Sequence, residues 1–179
     1  FYSGKGVLFF EHLDLYRSAK SDVTRKAPWQ PLEHFGIRVA KTGKSYSECG
    51  GKSVTIATYG KLVYEALEAT EIVSRSDTEI SVTVLDLRVI SPLDREELTR
   101  HVAKTGRLIT VQEEATYFGS GAEIAATVFE TRDSFEHLVA PVCRIGAPWM
   151  HHPPSKFWRF YVPQKENIAD AIIDIVKEK

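Results

Sequence analysis

The sequence lacks the features that would direct it to a membrane or to a nucleic acid. No apolar run in its 179 residues approaches the ~20 residues that a spanning helix needs. Lysine and arginine (23) nearly balance aspartate and glutamate (24), so the formal net charge is −1. This balance leaves no basic field for a phosphate backbone and no polybasic segment for an anionic bilayer. We therefore expect neither a nucleic acid nor a membrane as a partner.

Cysteine is also scarce. The two residues present, Cys49 and Cys143, are far apart and not at a spacing typical of a metal site. Their scarcity favours a reducing, cytoplasmic compartment over a disulfide-stabilised secreted domain. The chain starts at Phe1, and its first residues are not typical of a signal peptide. We interpret it as the C-terminal piece of a longer protein.

The apolar fraction of 43% and the charged fraction of 26% are those of an ordinary globular protein. Residues 18–52 are rich in glycine, proline and charge and are predicted to be a linker, with one short strand at 37–40. After them, apolar patterning alternates between the two regular periods. It predicts strands at 53–59, 80–87, 107–111 and 140–145, helices starting at Gly60, at Pro92 with Asp94, at 119–121 and at Pro163, and a loop at 146–163.

Four strands alternating with four helices predict an α/β fold with a mainly parallel sheet covered on both faces. Ligands of such sheets gather where the strands end at their carboxyl side. In this sequence those ends fall at residues 58–60, 86–88, 112–114 and 146–149.

Several motifs, in order, resemble one family. Residues 7–17 read Val-Leu-Phe-Phe-Glu-His-Leu-Asp-Leu-Tyr-Arg, and residues 53–60 read Ser-Val-Thr-Ile-Ala-Thr-Tyr-Gly. Val-Leu-Asp-Leu-Arg at 84–88, Ser-Pro-Leu-Asp at 91–94 and Lys-Thr-Gly-Arg-Leu at 104–108 follow them. Together with residues 118–125 and 140–145, these motifs resemble the E1 component, β subunit or fused chain, of thiamine-diphosphate-dependent 2-oxo acid dehydrogenases.

The resemblance implies a fold and a division into domains. The fold is the C-terminal domain of the transketolase superfamily, a three-layer α/β/α sandwich with one antiparallel edge strand. Residues 1–17 would end the pyrimidine-binding domain, 18–52 would be the linker, and 53–179 would form the C-terminal domain.

The resemblance also implies an activity for the parent protein. The parent would decarboxylate a 2-oxo acid on thiamine diphosphate with magnesium and pass the acyl group to lipoyl-E2. Its partners would be E1 α-type and β-type subunits and the lipoyl-E2 core. The family's catalytic and cofactor residues lie upstream of residue 1 or in another subunit, so we expect this chain alone to be inactive, to bind no cofactor, and to serve subunit assembly and partner docking. The alternative is the C-terminal domain of transketolase or deoxyxylulose-phosphate synthase, against which residues 11–17 argue.

Two candidate constellations lie near the start of the chain. Glu11 and Arg17 are predicted to form a structural ion pair, with a place for His12 near an active-site cleft as the alternative. Lys5 matches a position where the family has a monovalent-cation site, and its ammonium group could replace the bound cation. A solvated lysine is the alternative for Lys5.

Two further constellations follow strands. Asp86 and Arg88 could bind an anion or tie down the next loop, and Asp94 is predicted to be a helix N-cap. A glycine-rich turn could bind an anion, contact a subunit, or simply let the backbones approach closely. Its candidate residues are Glu113, Gly119, Gly121 and Glu123. The family usually has His-Glu and then Gly-Gly-Phe-Gly here, where this chain has Gln112-Glu113 and then Phe-Gly-Ser-Gly at 118–121.

The loop at 146–163 is rich in aromatic side chains and proline. Trp149, His151, His152 and Trp158 could belong to an interface or to a metal site. Two adjacent histidines with no visible third ligand do not form a regular zinc site, whereas Trp is a favoured interface anchor. We predict an interface.

Overall fold

The computed structural model describes Leu15 and residues 36–178. The described chain forms a five-stranded sheet with helices on both faces. The strands are β1 Arg38–Lys41, β2 Ser53–Thr58, β3 Ser81–Asp86, β4 Leu108–Ala115 and β5 Cys143–Ala147. The helices are α1 Leu62–Ser76, α2 Arg95–Thr105, α3 Ser120–Glu130, α4 Arg132–His137, a 3₁₀ turn Ser155–Phe157, α5 Trp158–Tyr161 and α6 Lys165–Lys177.

The strand order is β1-β3-β2-β4-β5, and all neighbours are parallel except β1 and β3. β1 is therefore the antiparallel edge strand that the resemblance implies. α1 and α6 pack on one face of the sheet, and α2, α3 and α4 pack on the other. The predicted three-layer α/β/α sandwich is confirmed.

The central strand β2 is buried along its whole length, although three of its six residues are polar.

 Those three are Ser53, Thr55 and Thr58, and each hydroxyl is hydrogen-bonded. The Ser53 hydroxyl donates to the Thr105 carbonyl (2.8 Å), and the Thr58 hydroxyl donates to the Val111 carbonyl (2.8 Å). A buried polar group that keeps a hydrogen bond costs little, so these side chains tie β2 to its neighbours without weakening the core.

Both ends of α2 follow the predicted signals. The Asp94 carboxylate accepts a hydrogen bond from the Glu97 amide (3.1 Å), which confirms the predicted N-cap. Gly106 ends the helix in the left-handed conformation (φ 74°), where a side chain would be strained.

Several bounds differ from the sequence predictions. α4 and the short helical turns at 155–161 were not predicted, β4 extends beyond 111 to Ala115, and β5 begins at Cys143 rather than at 140. α4 follows α3 after the single residue Thr131, so no glycine or proline separates the two helices. The buried Ser134 hydroxyl stabilises this join by donating to the carbonyls of Val128 (2.7 Å) and Thr131 (3.0 Å).

Residues 37–52 pack against the domain. The Ile37 amide donates to the Asp94 carboxylate (3.2 Å), the Gly43 amide donates to the Thr83 hydroxyl (3.0 Å), and the Tyr46 amide donates to the Lys104 carbonyl (2.9 Å). Within the described ranges, no helix combines the length and apolar character needed to cross a membrane.

His101 is a buried titratable group on α2. Its side chain is 6% exposed, and its Nε2 lies 3.1 Å from a Glu97 carboxylate oxygen. Nδ1 has no hydrogen-bond partner among the described residues. Burial, together with the positive charge of Arg100, lowers the pKa of His101 despite the nearby Glu97 carboxylate.

We expect this histidine to make the fold less stable in mild acid. Because the folded pKa is lowered, the unfolded chain binds the extra proton as the pH falls from about 7 to about 5, so the free energy of unfolding decreases over that window. The free energy of unfolding of H101Q should be about 1 kcal/mol lower than that of the wild type at neutral pH. The difference between the two proteins should become smaller as the pH falls.

Urea denaturation at stepped pH values measures this effect. The Glu97 carboxyl, whose pKa is lowered by its hydrogen bond with Arg100, stays ionised in the window. H137Q removes a histidine whose side chain is 57% exposed and is the matched control. A gap between H101Q and the wild type that stays constant with pH would contradict the prediction.

Candidate functional site

The candidate site lies where β2, β4 and β5 end at their carboxyl side. Tyr59 follows β2, residues 112–121 form the end of β4 and its crossing to α3, and Trp149 follows β5. Parallel strands bring these three segments to one edge of the sheet.

A hydrogen-bonded carboxylate occupies the centre of this edge. Glu114 accepts a hydrogen bond from the Tyr59 hydroxyl (2.7 Å) and, at its other oxygen, from the Ser120 amide (2.9 Å) and hydroxyl (2.6 Å). Burial opposes the charge of Glu114, but the hydrogen bonds from Ser120 and Tyr59 outweigh it and lower its pKa. Burial raises the pKa of the Tyr59 phenol, which therefore stays protonated and donates.

Gln112 fills the rest of the turn between β4 and α3. Its side-chain oxygen accepts from the Gly121 amide (2.5 Å), and its side-chain nitrogen donates to the Ala115 carbonyl (2.6 Å). A Cβ at Gly119 or Gly121 would overlap the Gln112 side chain, so glycine permits the close approach. The amides of Ser120 and Gly121, which the sequence offered for an anion, are thus bound by acceptors of the same chain.

The other two acidic residues named with this turn lie on β4 and on α3. Glu113 is half-buried on β4, whereas Glu123 is exposed on α3, 4.0 Å from the Arg95 guanidinium. The sequence pattern placed residues 112–114 at the end of a strand, but it did not identify the hydrogen bonds of Glu114 with Tyr59 and Ser120 or those of Gln112. The available signal was the two-residue period of a strand, which places Gln112 and Glu114 on the same face of β4.

Asp86 and Asp94 both hold backbone in place. Asp86 accepts from the Arg88 amide (3.2 Å), and Arg88 has a left-handed backbone (φ 57°). Burial raises the pKa of Asp86, against the opposing hydrogen bond from Arg88. Asp94 serves as the α2 cap and also binds the Ile37 amide (3.2 Å). The contact between Asp86 and Arg88 agrees with the alternative in which these two residues hold the next loop in place.

Exposed aromatic side chains surround the end of the sheet. Tyr117 packs edge-on against Phe118 (ring centroids 4.8 Å apart) and Trp149 (5.1 Å). Phe118 is 87% exposed and Trp149 is 77% exposed. We call these three residues the aromatic cluster. Trp149, Met150 and His151 also line an open cavity of about 480 Å³.

The remaining residues of the predicted interface adopt a different arrangement. The His152 ring stacks on Trp158 (4.4 Å) and lies 5.4 Å from the Tyr161 ring. Trp158 and Tyr161 are half-buried and pack against the main core, so Trp158 is partly a core residue. His151 and His152 are exposed.

The described residues do not fit a diphosphate–magnesium pair. Across residues 36–178, no group of three or more histidine, cysteine or acidic side chains could hold a metal ion. In the glycine-rich turn, the Ser120 amide donates to Glu114 and the Gly121 amide donates to Gln112. Lys5, Glu11, His12 and Arg17 lie outside the described residues.

The sequence matches the family described as "Transketolase, C-terminal domain" over residues 43–168. The chain belongs to this family. A relative in Staphylococcus epidermidis, named pyruvate dehydrogenase E1 component subunit beta, is 33% identical over 94% of the chain and 47% of its own length. The Bacillus subtilis protein of the same name is 34% identical over 92% of the chain and 46% of its own length.

A rice relative (Oryza sativa subsp. japonica), named pyruvate dehydrogenase E1 component subunit beta-1, mitochondrial, is 45% identical over 72% of the chain and 34% of its own length. The chain thus spans less than half the length of these relatives. A solved structure titled "Split gene transketolase, inactive beta4 tetramer" has the same fold, with a TM-score of 0.67 at 24% identity over 86% of the chain and 45% of that structure. The resemblance to E1 β subunits is confirmed.

We expect the Glu114 carboxylate to stabilise the turn between β4 and α3. E114Q replaces one of the two accepting oxygens with an amide nitrogen, which then faces either the Ser120 amide and hydroxyl or the Tyr59 hydroxyl. The substitution should lower the free energy of unfolding by about 1–2 kcal/mol. E123Q, on an exposed side chain at the start of the same helix, should change it by about 0.5 kcal/mol or less. Urea denaturation at neutral pH measures both, and equal losses would contradict the assignment.

Proposed function

We propose that this chain is the C-terminal part of the E1 β component of a 2-oxo acid dehydrogenase. The parent would decarboxylate a 2-oxo acid on thiamine diphosphate with magnesium and pass the acyl group to lipoyl-E2. Residues 1–17 would end the preceding domain and 18–52 would link it to residues 53–179. The three E1 β relatives support this assignment over transketolase or deoxyxylulose-phosphate synthase.

Within the parent, the chain would serve assembly with E1 α-type and β-type subunits and docking of the lipoyl-E2 core. The single observation that carries this role is the aromatic cluster at the carboxyl end of the sheet. Tyr117, Phe118 and Trp149 are all exposed, and the Tyr117 ring contacts each of the other two. Contiguous exposed apolar surface of this kind marks interaction sites, and Trp and Tyr dominate the energetics of interfaces.

The hydrogen bonding beneath the cluster supports the same role. Glu114 and Gln112 bind their partners within the chain, which leaves apolar rings as the outward-facing groups of the turn. A surface with its polar groups already paired gives contact area to a partner without stranding donors or acceptors when it is buried.

We expect the chain alone to bind neither thiamine diphosphate nor magnesium, because its described residues supply no cluster of metal ligands. Isothermal titration of the chain with thiamine diphosphate and Mg²⁺ should give no binding isotherm. A purified pyruvate dehydrogenase E1 component, titrated under the same conditions, is the positive control. Binding of the cofactor to the chain in the micromolar range would contradict the proposal.

We also expect the aromatic cluster to drive self-association of the isolated chain. W149A should weaken it by about 2 kcal/mol, or about thirtyfold, since a large exposed ring in the centre of an interface is a typical hot spot. F135A, which truncates an exposed ring on α4, is the matched control. Sedimentation velocity over a concentration series measures the effect, and a wild-type chain that stays monomeric at high concentration would refute the assembly role.

A further inference from the structure

The stretch between Glu136 and Glu166, which contains β5 and the segment from β5 to α6, carries charge of a single sign. Between Glu136 and Glu166 the sequence has no aspartate or glutamate, but it has Arg144, Lys156 and Arg159 along with Lys165. The whole chain, in contrast, has a net charge of −1. Lys165 is paired with Glu68 (2.6 Å), so it adds little to this local excess of positive charge.

The cations of this segment lie beside exposed rings. The Lys156 ammonium lies 4.9 Å from the centroid of the Phe157 ring, and the Arg159 guanidinium lies 4.6 Å from that of Phe160. Phe160 is 72% exposed. Among the residues that the structure describes, neither Lys156 nor Arg159 forms an ion pair. We call Lys156, Phe157, Arg159 and Phe160 the cationic patch.

We propose that the cationic patch docks an acidic segment of a partner protein that also presents apolar side chains. This inference rests on the proposed function and specifies the chemistry of one docking partner. The two cations would pair with carboxylates, and the rings of Phe157 and Phe160 would supply apolar contact. Electrostatic complementarity of this kind speeds encounter and selects the partner.

Other occupants fit less well. A symmetric contact between two copies of the chain with the patch on its two-fold axis would bring like charges together. A nucleic acid or an anionic bilayer is bound through a larger basic field than Lys156, Arg159 and Arg144 provide. Arg144 is in addition bound to the Thr116 carbonyl (3.1 Å).

Fluorescence anisotropy with labelled peptides tests the proposal. The probe is a peptide of glutamate, leucine and phenylalanine, and two companion probes replace its glutamates with lysine or its apolar residues with serine. We expect the first probe to bind in a salt-sensitive manner, the lysine version not to bind, and the serine version to bind about tenfold more weakly.

The charge-reversal variant K156E/R159E should weaken binding of the acidic apolar probe by at least about tenfold. The matched control R132E/K177E makes the same change in net charge at exposed positions on α4 and α6. F160A should weaken binding of the acidic apolar probe more than F129A on α3 does, because Phe160 belongs to the patch and Phe129 does not. Circular dichroism of each variant confirms that the fold is retained.

Three results would overturn the proposal: no binding of the acidic apolar probe, equal weakening by K156E/R159E and the control pair, or tighter binding of a single-stranded oligonucleotide or of phosphatidylserine vesicles than of the peptide. These outcomes are separate from the proposed function, because neither the cofactor titration nor the self-association of the aromatic cluster depends on Lys156 or Arg159.

Discussion

A buried arginine holds together the end of the domain opposite the candidate site. Arg107 is 3% exposed and precedes β4. Its guanidinium donates to the carbonyls of Ile175 (2.9 Å), Gly51 (2.6 Å) and Glu178 (3.1 Å). One side chain thus joins the end of α6, the approach to β2 and the start of β4. Because carbonyls at the end of a helix lack partners within the helix, a cation there is stabilising as well as structural.

The two ends of the sheet are fixed by different means. At the amino end, Arg107 gathers carbonyl oxygens, while at the carboxyl end Glu114 and Gln112 gather amide and hydroxyl donors. The side chains named at each end make these hydrogen bonds within the described part of the chain. At the carboxyl end the exposed aromatic cluster lies next to these hydrogen-bonded groups, and this arrangement supports the assembly surface proposed above.

Local signals explain which parts of the fold could be predicted from the sequence. Asp94 and Gly106 are a cap and a left-handed terminus that act within one turn of α2, so both ends of this helix were predictable. The break between α3 and α4 depends on buried Ser134, which has no comparable local signature. The contacts of Gln112 and Glu114 with residues 120 and 121 depend on how the chain returns after β4, and a strand pattern specifies the face but not the partner.

Gln112 stands where the sequence resemblance implies a histidine. Here the side chain must accept a hydrogen bond from the Gly121 amide and donate one to the Ala115 carbonyl. A primary amide has an oxygen and a nitrogen on the same carbon, so it meets both needs in any protonation state. A histidine would do so only as one neutral tautomer, and protonation would replace its acceptor with a second donor facing the amide. The two hydrogen bonds that residue 112 makes in the turn between β4 and α3 therefore do not depend on its own protonation in this chain.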